Sequence, residues 1–158
     1  MASFLDARAH GGRWLLRIED LDRPREVAGS AAGILRTLQA FGFEWDGEVV
    51  RQSDRTELYV AAVQTLRDRH LTFQCSCSRL QLEDDGRYPG TCRLRPWTSG
   101  VPTATRLRVE QGTILFRDRI QGTYRQDVAR AVGDVILRRR DHIFATCWRW
   151  SSTMRHRG

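Results

Sequence analysis

Three of the chain's four cysteines fall within one short stretch, CSCSRLQLEDDGRYPGTC, residues 75–92. Cys75 and Cys77, one residue apart, can present two thiolates to a single ion, and Cys92 can return to them across a turn-rich loop. Held together, the three close that loop on itself whatever fold surrounds it. Zinc normally takes four ligands, at about 2.0–2.3 Å. The fourth could come from His70, Asp84, Asp85 or the phenolate of Tyr88. A tyrosine ligand must first give up a proton whose pKa is about 10. The competing reading is three reduced cysteines packed as small apolar side chains, and spacing alone leaves the two evenly matched.

The chain has 158 residues, enough for one domain with a core of its own. No apolar run approaches the length of a membrane span, and MASFLDARAHGGR lacks the basic start and apolar stretch of a secretory leader. A cytoplasmic setting is therefore expected, where spaced cysteines hold metal more often than they pair. Formal net charge is +7, compatible with a phosphate-rich partner without demanding one. All 26 basic residues are arginine, and there is no lysine or asparagine. Both absent residues use AA-starting codons, so a GC-rich coding sequence accounts for the pattern.

Hydrophobic patterning alternates strands with helices, which predicts an α/β fold. A short helix over 2–10 closes at Gly11-Gly12, and RWLLRIED reads as a buried strand. Pro24 suits a helix's first turn, and Ile34, Leu35, Leu38 and Phe41 then recur at helical spacing up to Gly42. Ser53 is the expected N-cap of a helix burying Leu58, Ala61, Ala62 and Leu66. LTFQC is a short strand leading into the cysteines, and 84–103 is a turn-rich insertion. TRLRVEQ and TILFRDRI read as a pair of strands, Asp127 as a helix cap, and VILRRRD as a further strand. Arg138, Arg139 and Arg140 could meet RNA phosphates, but strand alternation points only some of them the same way, and a solvated basic edge is the favoured reading.

RWLLRIEDLDRPRE, residues 13–26, resembles the strand-and-turn signature of the glutamyl-tRNA synthetase group of class I enzymes. CSC followed by YPGTCR is similar to one branch of that group, the glutamyl-Q tRNA(Asp) synthetases. FGFEWDG, RQSDRTELY and VILRRRDHIFA also resemble that branch, in the right order along residues 2–145. The resemblance implies an incomplete Rossmann-like parallel sheet with helices and a small zinc-binding insertion. The expected layout is partial core at 1–73, insertion at 74–103 and a return to the core at 104–145. It further implies activation of glutamate by ATP, with Mg2+, followed by transfer to queuosine in the anticodon of tRNA(Asp). The family's zinc ligands carry onto Cys75, Cys77, Tyr88 and Cys92, and its glutamate contact onto Glu19. A carboxylate just beyond a strand's carboxyl end is well placed for such a contact. Without the motif, a solvated strand-end acid is the better reading of Glu19. Asp20 and Asp22 carry no separate expectation.

Class I synthetases also use a HIGH-type motif and a KMSKS-type loop, and neither is legible here. The chain is therefore expected to be a monomeric piece of the core, inactive by itself. A zinc-containing RNA-binding module and a fragment of glutamyl-tRNA synthetase are the alternative readings. The last thirteen residues, TCWRWSSTMRHRG, have no strand or helix periodicity. One nucleotide restored ahead of a GC-rich string encoding them yields tyrosine followed by LLAVVVDDAAQG, the family-like continuation. Residues 146–158 are accordingly expected to be a frameshifted tail.

Overall fold

A computed structural model describes residues 1–145 apart from Asp85, Trp97, Thr98, Arg119 and Ile120. The expected frameshifted tail lies outside the described residues. The chain divides into two compact units, Met1–Glu57 and a second beginning at Leu58.

The first unit opens with helix α1 (Ala2–Ala9), which ends where Gly11 turns back at φ +61°. Its anchor is aromatic. Phe4 meets Trp14 and Phe43 edge-on, with ring centroids 5.1 and 5.0 Å away. The Asp46 carboxylate ties this cluster down by accepting the Trp14 N–H (2.7 Å) and an Arg8 guanidinium N–H (3.1 Å). The expected buried strand is reduced to β1 (Arg17–Ile18), and both its residues are only half-buried. β1 pairs in parallel with β2 (Val50–Arg51), and helix α2 (Ser30–Ala40) forms the crossover that parallel neighbours need.

Two helix expectations in this unit need correction. Pro24 sits in a separate 3-10 turn, Arg23–Arg25, rather than in the first turn of α2, which starts after Gly29 at φ +78°. α2 also buries no residue fully, and Ile34 and Phe41 are exposed, leaving Leu35 and Leu38 as the half-buried edge.

α3 (Thr56–Asp68) follows a 3-10 turn over Ser53–Arg55. Ser53 is not its N-cap, because its hydroxyl is taken by Asp20. The buried face is rotated from the expected one: Tyr59 and Val63 are buried, while Leu58 and Ala61 face out. The cause is Tyr59, only 1% exposed, which packs its ring against Phe144 at 5.5 Å and fixes the helix's rotation.

The second unit is built on an antiparallel sheet in the order β3-β4-β7, formed by Thr72–Cys75, Ala104–Leu107 and Ile136–Arg138. The strands expected to pair with each other do not. TRLRVEQ supplies β4, the centre of this sheet, whereas β5 (Thr113–Asp118) pairs with β6 (Gly122–Asp127), a strand the patterning did not suggest. GTYRQD alternates too weakly to be read as a strand, and only its partner reveals it. Asp127 does cap the short helix α4 (Val128–Ala131), accepting the Arg130 N–H at 3.1 Å. Among the described residues, parallel pairing is confined to β1 and β2.

Candidate functional site

Strand register places the cysteines. In β3, opposite β4, Phe73 faces Arg106 and Cys75 faces Ala104 across the ladder. Period-two alternation puts these four on one sheet face and Gln74 with Thr105 on the other. Phe73, Cys75, Tyr88 and Cys92 form a buried cluster on the first face, with Cys77 and Leu82 packed against it. Cys75 ends its strand and Cys77 lies in the loop beyond. A capping arrangement follows in which Gln81 Oε1 accepts the Ser78 N–H at 2.8 Å. The chain then reverses through Gly86 (φ +81°), where Glu83 N–H donates to the Arg87 carbonyl at 2.9 Å. A second turn at Gly90 (φ +83°) brings Cys92 back to the pair.

The three sulfurs lie within 4.8 Å of one another, with Cys77 and Cys92 at 3.5 Å. Ligands about 2.3 Å from a tetrahedral ion are about 3.8 Å apart, so this trio can hold a metal ion as it stands. The Tyr88 hydroxyl joins them, accepting the Cys92 N–H at 2.6 Å inside the same buried cluster. Of the other possible fourth ligands, His70 and Asp84 are exposed and outside the cluster, and Asp85 lies outside the described residues.

Burial pushes the Cys77 thiol up to about 11, assisted by the two neighbouring sulfurs. Burial acts the same way on Cys92. There it is outweighed by hydrogen bonds from the Ser76 backbone, the Tyr88 hydroxyl and the Cys77 thiol, which bring the pKa down to about 6. The Tyr88 phenol is raised well above its ordinary value, first by burial and then by its sulfur neighbours, despite the opposing Cys92 N–H.

Arginines frame the cluster. The Arg106 guanidinium lies 4.0 Å over the Tyr88 ring and donates to the Asp134 carbonyl at 2.7 Å. Arg140 donates to the carbonyls of both Ser76 and Cys77, pinning the loop between the paired cysteines. Sequence reading missed this contact, because 63 residues separate Arg140 from Cys77.

Glu19 lies in the first unit, immediately beyond β1. Its Oε1 accepts from Arg17 at 3.2 Å, and its side chain is 29% exposed. Asp20, next to it, is the buried acid. It accepts the Ser53 N–H at 2.9 Å and the Ser53 hydroxyl at 2.7 Å, and it faces Arg51 at 3.6 Å. These contacts join the turn after β1 to the turn after β2. A cleft of about 400 Å3 opens there, lined by Asp20, Glu26, Ala28 and Ser53. Gln52, fully buried beside Ser53, has a carboxamide with no hydrogen-bond partner on either atom among the described residues.

Relatives named Glutamyl-Q tRNA(Asp) synthetase from Ectopseudomonas mendocina and Pseudomonas fluorescens are 53% and 51% identical over 146 residues. These matches cover 92% of this chain, which spans about half the length (49%) of each relative. Among solved structures, a glutamate tRNA ligase from Elizabethkingia meningosepticum, in complex with its amino acid, aligns over 98% of this chain and 37% of its own. Its TM-score is 0.79 at 21% identity, a likeness of fold. The glutamate-tRNA synthetase of Elizabethkingia anophelis gives 0.78 at 22%, over 96% of this chain and 37% of its own. Residues 1–91 match the catalytic-domain model of the class I tRNA synthetases (E and Q), and the chain belongs to that family.

Proposed function

We propose that these residues form part of a glutamyl-Q tRNA(Asp) synthetase core that activates glutamate with ATP and Mg2+ and transfers it to queuosine in tRNA(Asp). The layout proposed is partial core at 1–73, zinc-binding insertion at 74–103 and return to the core at 104–145. The observation that carries the reading is the convergence of Cys75, Cys77, Cys92 and Tyr88 in a chain about half identical to proteins of that name. Three soft thiolates with a phenol beside them suit Zn2+, and among the described residues no carboxylate joins the cluster. Bound there, zinc would supply structural cross-linking of the insertion rather than chemistry. The ion's binding free energy would then be realised only in the folded loop.

Glu19 is proposed to pair with the glutamate ammonium, orienting the carboxylate for attack on the ATP α-phosphate. Asp20 does not compete for that role, since its carboxylate is occupied by Ser53. A cytoplasmic monomer fits this activity, and no helix among the described residues is long and apolar enough to cross a membrane.

Elemental analysis of protein purified without added metal tests the zinc site. One zinc per chain is expected, lost in Cys92→Ser and weakened less in Tyr88→Phe, because water replaces a phenolate more readily than a thiolate. Zinc content near zero, or unchanged in Cys75→Ser, removes the site.

A further inference from the structure

The sheet that carries Cys75 also buries an arginine. In β4, Arg106 stands opposite Phe73 of β3, so period-two alternation puts its side chain on the cysteine face. Arg106 is only 6% exposed, and its guanidinium carbon lies 4.0 Å from the Tyr88 ring centroid. One terminal N–H donates to the Asp134 carbonyl at 2.7 Å, while the buried Nε has no hydrogen-bond partner among the described residues. An unopposed charge is costly to bury, so a carboxylate is the ordinary companion of a guanidinium in such a place. Arg106 has no such ion pair among the described residues. Asp134 turns its carboxylate elsewhere, accepting the Val109 N–H at 2.8 Å and facing Arg93 at 3.6 Å. The neighbouring arginines are placed differently. Arg108 is half-buried, 5.3 Å from the Phe73 ring, and gives an N–H to the Arg93 carbonyl. Arg138, aligned with Thr105 on the opposite face, lines an open cleft together with Arg139.

We infer that Arg106 is the countercharge of the proposed zinc centre and raises its affinity for the ion by acting through Tyr88. Three thiolates and a phenolate around a divalent ion make a net negative centre, buried where solvent screens little. The negative charge that Arg106 lacks among its other neighbours is the one such a centre carries. The guanidinium is always protonated and is no ligand itself. It lies over the face of the Tyr88 ring, which attracts a cation. Negative charge gained by the phenol oxygen spreads into that ring and strengthens the attraction. A tyrosine ligand has to give up a proton whose pKa is about 10, and a buried cation on its ring offsets part of that cost. Arg140 serves the same loop by another route, through the carbonyls of Ser76 and Cys77.

The inference rests on the zinc site proposed above, but the two fail distinguishably. A parent chain that binds no zinc removes the site and the inference with it, whereas a parent that binds zinc no better than Arg106→Met overturns the inference alone. The assay is competition for Zn2+ between a chromophoric chelator and the 158-residue chain. Arg106→Met keeps the length of the side chain without its charge and is expected to weaken zinc binding about tenfold. Arg106→Lys keeps the charge and should lose no more than about threefold. In a Tyr88→Phe background, which lacks the phenol oxygen, Arg106→Met should cost no more than about twofold, so the two positions are coupled. Arg125→Ala, an exposed β6 arginine, should leave the affinity unchanged. Equal losses in the Met and Lys variants would make Arg106 a structural hydrogen-bond donor and overturn the inference. The same fold-loss with and without the Tyr88 hydroxyl would overturn it as well. Should Arg106→Met fold poorly, the guanidinium nitrogen signals of Arg106 in the parent chain decide the matter. They should shift on adding Zn2+, and unmoved signals refute the assignment.

Discussion

Removing the Asp20 carboxylate should loosen the turn that carries Glu19, and the structure sets the size of the effect. Asp20 is 9% exposed and accepts two hydrogen bonds from Ser53. A hydrogen bond to a charged group contributes about 1.5–3 kcal/mol. Ser53 is half-buried, so water can partly replace a lost partner, and the lower end applies to each bond. The Arg51 contact, 3.6 Å long and with Arg51 46% exposed, adds about nothing. Asp20→Ala should therefore cost about 3 kcal/mol. Asp20→Asn, which keeps one acceptor, should cost about half of that, roughly 1.5 kcal/mol.

The carboxyl also gives this contribution a pH dependence. Burial would raise its pKa, but the Ser53 N–H and hydroxyl, its own N–H and Arg51 together hold it below the usual 3.8. A depressed folded-state pKa means the stabilisation is fully present above the unfolded value and is lost as pH falls through the folded one. The acid-side slope below about pH 4 should flatten in Asp20→Asn. Urea midpoints for Asp20→Asn, Ser53→Ala and the double variant, with hydrogen exchange at the Ser53 amide, provide the assay. Coupling of about 1 kcal/mol between the two positions is expected. Additive single costs, or an Asp20→Ala chain as stable as the parent, would refute the assignment of Asp20 as the clamp.

Glu19→Gln in a complete enzyme should lower glutamate-dependent pyrophosphate exchange at least about tenfold, a loss of about 1.4 kcal/mol, and unchanged exchange would remove Glu19 from the substrate site. Arg140→Ala frees the carbonyls of Ser76 and Cys77 and should weaken metal retention about tenfold in a chelator competition, with no change in stoichiometry. Gln52→Met replaces a buried, unpartnered carboxamide by an apolar chain of similar length and should raise stability by about 1 kcal/mol. Destabilisation there would show that the amide is hydrogen-bonded in solution.

Local chemistry was legible in the sequence wherever neighbours along the chain meet. The Cys75–Cys77 pair, the turn residues that return Cys92 to it, the C-terminal stop of α1 and the Asp127 cap all depend on contacts spanning a few residues or one short loop. Family motifs added Glu19 and Tyr88, and the structure buries Tyr88 with Cys75 and Cys92, its hydroxyl on the Cys92 N–H. Tertiary structure decided what periodicity cannot encode. Which face of α3 turns inward depended on where the Tyr59 ring finds Phe144. The partner of β5 was fixed by pairing with a strand that has little pattern of its own. Asp20 became a clamp because Ser53 lies across a parallel strand pair, and one arginine run was split between the cysteine loop and an open cleft. Apart from the β5–β6 hairpin, these contacts join residues from 33 to 85 positions apart, so their partners are selected by packing and register rather than by sequence distance.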